Sequence, residues 1–206
     1  SSSKRLIFII ITLLVLVFSS INIAGYRFIK QAEAALQAQD YQTATEAYVR
    51  AARILIWRGD LWEKAAFAAS KRQDFSTAIY YFQRAKLTEQ GQLALAYSYY
   101  QVGDFELAQK AYQKGADIYQ KPAFYEGLAF VYRSQNKWDE ERKALEDQIR
   151  LDMGSAPAHY RLGVLLTVLD SDPALPELML AASLDRQFDS AVQTLRAALN
   201  LSATQP

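Results

Sequence analysis

The sequence predicts an all-α protein in which one N-terminal transmembrane helix precedes an α-solenoid of about five helical hairpins and a C-terminal capping helix. Three observations predict this fold. Residues 6–24 carry no charge, a motif of alternating aromatic and small residues recurs every 30 to 34 residues, and no strand-like alternation persists beyond residue 25. Because 51% of the 206 residues are hydrophobic, the chain can also form a substantial core.

Charge and cysteine content exclude several classes of function. The 23 Lys and Arg residues nearly balance the 22 Asp and Glu residues, and the formal net charge is +1. No global basic field therefore favours nucleic acid as a partner. The chain has no cysteine, so disulfide frameworks, thiolate metal sites and cysteine nucleophiles are all excluded.

The first element is the uncharged run LIFIIITLLVLVFSSINIA at residues 6–24, which follows SSSKR. At about 1.5 Å per residue, such a helix nearly matches a hydrocarbon core of roughly 30 Å. We therefore predict a membrane anchor. A cleaved signal peptide is the alternative, although the run is long for one. Because no Met precedes SSSKR, we also expect that some residues are missing upstream.

The orientation of this anchor is not determined by the charges beside it. Lys4 and Arg5 lie before the run, and Arg27 and Lys30 lie after it, so each side has two cations. A short basic tail before an N-terminal anchor usually stays in the cytoplasm. We therefore expect the remainder on the exported side of a bacterial inner membrane or an equivalent membrane.

Three polar residues, Thr12, Ser19 and Asn22, share one stripe of the predicted anchor. The stripe could pack or hydrogen-bond against another membrane helix. The alternative is that isolated polar residues are simply tolerated there.

The next elements are identified by an internal repeat. QDYQTATEAYVRA, QDFSTAIYYFQRA and GDFELAQKAYQKG, at residues 39–51, 73–85 and 103–115, align without gaps. A fourth copy at 136–148 has Glu141 and Gln148 in place of small residues. The first rings of the four copies are separated by 34, 30 and 33 residues; they are Tyr41, Phe75, Phe105 and Trp138. Such a period predicts stacked helical hairpins, and the deficit of four residues predicts one shortened helix or loop.

Over about residues 25–185 the chain resembles the tetratricopeptide repeat (TPR) family, whose units are helix-turn-helix pairs of 34 residues. We expect Ala44, Ala78 and Ala108 at the helix contacts, and Asp40, Asp74 and Asp104 as caps of the second helices. The expected boundaries are an N-terminal tail and anchor at 1–25, units at 26–57, 58–88, 89–121, 122–153 and 155–187, and a capping helix and tail at 188–206.

Signatures of catalysis are absent from the sequence. There is no Gly-rich phosphate loop, GxSxG or HExxH, so we expect neither an enzyme nor a cofactor or metal site. The single histidine, His159, is expected to pack in a first helix. The acidic residues Asp139, Glu140, Glu141, Asp170 and Asp172 are interpreted as solvated helix starts rather than metal ligands, and Asp172 before Pro173 as an N-cap.

The resemblance implies a binding function, because TPR arrays hold a peptide or a partner's helix on a concave surface lined mainly by first helices. Carrying those positions onto this chain predicts a partner-binding groove of Glu63, Phe67, Lys71, Leu93, Tyr97, Tyr100, Gln101, Glu126, Phe130, Arg133 and Tyr160. The Lys and Asn clamp of members that bind acidic chaperone tails is missing, since Glu63, Phe67, Leu93 and Tyr97 stand there. The predicted groove suits an apolar or proline-containing segment.

We therefore expect a membrane-anchored interaction scaffold, either a subunit or an assembly factor of a larger membrane complex. Its partners would be protein subunits of that complex, and the lipid bilayer would contact residues 6–24. Two alternatives stay open at this point. The chain could be a non-catalytic accessory of an envelope-polymer or glycosylation system, or its aromatic cavity could hold a lipid or pigment.

Overall fold

A computed structural model describes residues 2–169 and 174–202, with side chains from 4 to 198 inside those ranges. The described residues form eleven α-helices and one 3₁₀ helix, and contain no strand. The helices are α1 Ser2–Gln37, α2 Tyr41–Ile54, α3 Asp60–Lys71, α4 Phe75–Phe82, α5 Glu89–Gln101, α6 Phe105–Tyr119, α7 Pro122–Ser134, α8 Trp138–Leu151, α9 Ala156–Val168, α10 Ala174–Leu184 and α11 Asp189–Ser202. The 3₁₀ helix is Arg186–Phe188. The predicted all-α class is confirmed.

Four second helices, α2, α4, α6 and α8, begin at the repeated rings Tyr41, Phe75, Phe105 and Trp138. The turn before each contains a residue with positive φ, and these are Gln39 at 57°, Gln73 at 62°, Gly103 at 81° and Asn136 at 55°. Such a left-handed residue is needed to reverse the chain between two helices. Of these four residues, only Gly103 has no Cβ and so avoids the steric cost of a positive φ.

The three repeated aspartates cap the second helices as predicted. Each carboxylate accepts a hydrogen bond from the backbone N–H three residues later, over 3.0 Å from Thr43 to Asp40, 3.2 Å from Thr77 to Asp74 and 3.1 Å from Leu107 to Asp104. The bond satisfies an N–H that the helix itself leaves without an acceptor. In the fourth copy Lys137 replaces the aspartate, and no side chain caps α8.

The shortened spacing between the second and third copies is explained by α4. This helix has 8 residues, whereas α2 has 14 and α6 has 15. It therefore lacks more than a full turn of its counterparts and ends at Phe82.

Small residues lie at the helix contacts, as the repeat predicted, because Ala44, Ala78 and Ala108 are fully buried. In the fourth copy Glu141 and Gln148 are buried at the equivalent places. The expectation of a solvated helix start is therefore wrong for Glu141, which is 1% exposed. Asp139 and Glu140 are exposed in the first turn of α8, as expected.

The chain divides into two compact units, with the boundary in the sequence between Val102 and Gly103. In the first unit α1 packs on α2, α2 on α3, α3 on α4, and α4 on α5. In the second unit the same sequential packing runs from α6 to α11. The division falls inside the third predicted hairpin, between α5 and α6.

The N-terminal helix α1 is continuous from Ser2 to Gln37. It contains both the apolar run and the first helix of the first hairpin. Its segment Lys4–Gln37 is long and apolar enough to cross a membrane, and a signal sequence near an N-terminus would have the same property. The side chains at positions 4–20 are exposed.

At the other end, α11 begins directly after the 3₁₀ helix, and its Val192 is buried. This agrees with the predicted capping helix. The proposed N-cap Asp172 with Pro173, and the acidic residue Asp170, lie outside the described residues.

Candidate partner-binding surfaces

The predicted groove residues are divided between the two compact units, and each unit has its own candidate surface. The α3–α5 surface, in the first unit, consists of Phe67, Lys71, Leu93, Tyr97, Tyr100 and Gln101. The α7–α9 surface, in the second unit, consists of Glu126, Phe130, Arg133, Tyr160 and a further residue, Arg161.

Two ring contacts organise the α3–α5 surface. Phe67 packs edge-to-face on Phe82, with ring centroids 5.3 Å apart, and is half-buried. Tyr97 packs edge-to-face on Phe75 over 5.9 Å, yet it remains 47% exposed. Tyr97 is therefore packed against the chain on one side and leaves apolar area exposed on the other.

The remaining side chains of the α3–α5 surface differ in exposure. Leu93 and Tyr100 are half-buried, whereas Lys71 and Gln101 are exposed at the C-terminal ends of α3 and α5. The surface thus combines aromatic and aliphatic area with one cation at its edge.

Glu63, which was predicted to line the groove, is buried and engaged within the chain. Its Oε1 accepts hydrogen bonds from the backbone N–H of Thr88 over 2.7 Å and from the Thr88 hydroxyl over 2.8 Å. Thr88 in turn caps α5, because its Oγ1 accepts the N–H of Gly91 over 3.1 Å. A Cβ at Gly91 would lie 1.8 Å from Glu63 Oε1, so the arrangement requires glycine there.

On the α7–α9 surface, Phe130 is 42% exposed. The guanidinium carbon of Arg161, from α9, lies 3.9 Å from the centroid of the Phe130 ring. This is a short cation–π contact with a side chain that is itself only 14% exposed. One face of Phe130 is therefore covered by the chain.

Arg161 also faces the buried carboxylate of Glu141. Glu141 Oε1 lies 3.8 Å from Arg161 Nη2 and 3.9 Å from Arg133 Nη1. Burial raises the pKa of Glu141, and the charges of Arg133 and Arg161 partly oppose this rise. The electrostatics of the α7–α9 surface thus depend on the buried carboxylate of Glu141 beneath it.

The other two predicted residues of the α7–α9 surface are only half-buried. Tyr160 stacks on Phe188 of the 3₁₀ helix, with centroids 4.8 Å apart and planes inclined by 25°. Its ring is thus partly covered by the C-terminal segment. Glu126 lies in α7 on the same element as Phe130.

Polar residues of the predicted anchor bond to their own helix. Thr12 Oγ1 donates to the carbonyl of Phe8 over 2.9 Å, and Asn22 Nδ2 donates to that of Phe18 over 2.8 Å. Ser19 is exposed. The proposed contact of this stripe with another membrane helix therefore remains a prediction.

His159 is buried, as expected for a packing position. Its Nδ1 lies 2.6 Å from Glu177 Oε2, and its Nε2 lies 3.1 Å from the carbonyl oxygen of Met153. Among the described residues, no group of three or more His, Asp or Glu side chains is arranged to hold a metal ion.

No protein-family model matches the chain, and no curated protein sequence matches it. Several solved structures are similar. MamA is 15% identical with a TM-score of 0.72, and the match covers 81% of this chain and 94% of that one. MamA from Desulfovibrio magneticus RS-1, from residue 41 to its end, is 14% identical with a TM-score of 0.70. That match covers 80% of this chain and 96% of the MamA chain.

A third similar structure is YrrB, described as a TPR protein with an unusual peptide-binding site. It is 15% identical with a TM-score of 0.66, and the match covers 81% of this chain and 90% of YrrB. At such identities the likeness establishes the fold, which is that of TPR proteins.

Proposed function

We propose that this chain with the TPR fold is a membrane-anchored scaffold that binds an apolar or extended segment of a partner protein through its first helices. One observation carries the proposal: Tyr97 and Phe130 are large rings that stay 47% and 42% exposed in first helices of the two units. The peptide-binding site named for YrrB gives the proposal a precedent in the same fold.

On the α3–α5 surface, Tyr97 would supply the main apolar contact. Its ring is held by Phe75 before a partner arrives, so little side-chain entropy remains to be lost on binding. Lys71 at the edge would favour a segment whose flanking residue is acidic.

On the α7–α9 surface, Arg161 fixes Phe130 from one side. The exposed fraction of Phe130 would pack against an apolar side chain of the partner, and Arg133 would bind a carboxylate or carbonyl beside it. The chemistry is again that of an apolar segment with adjacent polar groups.

The proposed anchor, residues 6–24, would confine the solenoid to one membrane surface. Confinement raises the effective concentration of a membrane-bound partner, so moderate contacts give a stable complex. The proposal therefore includes a membrane complex as the partner, in which this chain is a subunit or an assembly factor. It places the TPR units on the exported side.

Affinity capture from native membranes after mild detergent extraction tests this function. We expect Tyr97→Ala and Phe130→Ala each to reduce recovery of the partner by about tenfold, as is typical of a central aromatic contact. Matched controls are Tyr80→Ala and Ile118→Ala, since these side chains are 50% and 59% exposed on second helices α4 and α6. Equal recovery by the double variant Tyr97→Ala, Phe130→Ala and by the controls would contradict the proposal.

A further inference from the structure

The loop between α2 and α3, residues 55–59, lies beside the apolar part of α1. At the start of this loop, Leu55 is fully buried against Gly25 of α1. A Cβ at position 25 would lie 2.4 Å from Leu55 Cγ, so the Leu55 side chain packs directly on the backbone of α1 there. The first hairpin is thereby fixed at the point where the apolar run ends.

Beyond Leu55 the loop contacts the apolar run itself. The rings of Trp57 and Phe18 lie 5.7 Å apart, with planes inclined by 30°. Phe18 precedes Gly25 by seven residues in a continuous helix, which corresponds to about 10 Å toward the N-terminus. Trp57 therefore lies alongside a segment that the proposed function places in the membrane.

The loop exposes large apolar side chains at this level. Ile56 is 81% exposed and Trp57 is 50% exposed. Neither the first unit's core nor the ring of Phe18 covers them fully. An exposed apolar patch of this kind usually marks a contact site. Because Ile56 and Trp57 extend the apolar surface of α1, we expect them to contact the same surroundings as that helix.

Polar and basic groups adjoin this apolar area. Arg58 forms a two-point ion pair with Asp60, with N–O distances of 2.7 and 2.8 Å. Hydrogen bonding to Asp60, with a smaller contribution from Tyr26, raises the pKa of Arg58. Arg27 and Lys30 follow the apolar run in α1, and Arg53 precedes the loop in α2. Trp, Tyr and basic residues at the end of an apolar span are typical of the membrane interface.

We infer that the 55–59 loop inserts Ile56 and Trp57 into the interfacial region of a phospholipid bilayer, so that the first hairpin is seated directly on the membrane surface. This inference rests on the proposed membrane anchor. The interfacial layer is about 5 to 8 Å thick on each side of the hydrocarbon core. With Gly25 at the outer edge of this layer, the ring of Phe18 would lie about 10 Å deeper, at the edge of the hydrocarbon core. The loop would act as a second contact that restrains the tilt of the first hairpin about α1.

Single nitroxide labels on the full chain, reconstituted into vesicles of phosphatidylcholine and phosphatidylglycerol, test this inference. Because the chain has no cysteine, each label needs only one substitution. The test position is Ile56→Cys. Met153→Cys, 77% exposed in the second unit, is the matched aqueous control, and Leu14→Cys in the apolar run reports the anchor itself.

We expect the labels at 14 and 56 to collide several-fold more with dissolved oxygen than with a water-soluble nickel complex, and the label at 153 to show the reverse. If the label at 14 is in lipid and the label at 56 behaves like that at 153, the loop inference is overturned and the anchor stands. If the label at 14 is itself in water, both the anchor and the loop inference are overturned.

Discussion

Arg161 lies over the face of Phe130, with its guanidinium carbon 3.9 Å from the ring centroid, and joins α9 to an exposed ring of α7. The same guanidinium is 3.8 Å from the buried carboxylate of Glu141 in α8. Three consecutive helices of the second unit thus meet at one side chain, so the proposed binding ring and the stability of the unit are coupled.

Replacement of Arg161 should destabilise the second unit. We expect Arg161→Gln to cost about 2 kcal/mol, because it removes the cation–π contact and leaves Glu141, among the described residues, with Arg133 as its remaining close cation. Thermal unfolding of the full chain in mild detergent would measure the loss. Arg142→Gln is the control: its pairs with Asp139 and Glu146 are exposed, so it should change stability by less than about 0.5 kcal/mol. Equal effects of the two variants would contradict the proposed role of Arg161.

The buried carboxylate predicts a pH dependence of defined sign. Burial raises the pKa of Glu141 above its usual 4.5, so the folded chain binds this proton more tightly than the unfolded chain does. The resulting stabilisation is complete below the unfolded pKa and is lost as pH rises through the folded pKa.

Glu141→Gln should therefore gain stability relative to the unmodified chain as the pH is raised from about 4 to about 7. Melting temperatures of both proteins across this range would test the expectation, with the exposed Glu146→Gln as control. A difference that stays constant with pH, or one that changes in the opposite direction, would refute it.

The contact between Glu63 and Gly91 predicts that replacing this glycine destabilises the first unit. Gly91→Ala places a methyl group 1.8 Å from the present position of Glu63 Oε1, so it must displace a carboxylate that is held by Thr88. We expect a loss of about 2 kcal/mol or more. Gly59→Ala, where no atom lies within 4 Å of the new Cβ, should stay within about 0.5 kcal/mol of neutrality. Hydrogen exchange at the α5 amides would report the loss locally, and unchanged exchange would disprove it.

The left-handed turn residues predict that introducing a glycine at one turn stabilises the chain and that removing a glycine from another destabilises it. Gln73, with φ of 62°, carries a Cβ in a conformation that favours glycine, so Gln73→Gly should stabilise the first unit by about 0.5 kcal/mol. Gly103→Gln should cost about 1 kcal/mol for the same reason, since φ there is 81°. Chemical denaturation measures both. As a control, Gln113→Gly inside α6 should be destabilising, and a stabilising result there would show that the turn is not the cause.

The repeat predicts much of the fold because its signals are local. Asp74 can cap α4, and Ala78 can admit a neighbouring helix, whatever the rest of the chain does. The alignment of rings therefore located the starts of four second helices, at Tyr41, Phe75, Phe105 and Trp138.

The site was harder to predict because its chemistry depends on residues distant in sequence. Glu63 matched a groove position, but its partner Thr88 is 25 residues away and belongs to the turn before α5. Arg161 was missed since a lone cation in a helix usually indicates a solvated face, whereas here it lies between Phe130 and Glu141. Glu141 in the place of a small residue was the available signal that a buried cation would be nearby.

The exposure of Trp57 could not be predicted from the sequence pattern either. Residues 55–59 lie between two helices of different hairpins, and only the continuity of α1 brings them beside Phe18.

Site-specific photo-cross-linking in native membranes tests the central claim most directly. A photoreactive phenylalanine analogue would replace Tyr97 or Phe130, and in separate samples Tyr80 or Ile118, whose exposure is similar. The account predicts that the same protein partner is cross-linked from positions 97 and 130 and is absent or much reduced from 80 and 118. Equal cross-linking from all four positions, or cross-links from 80 and 118 alone, would contradict it.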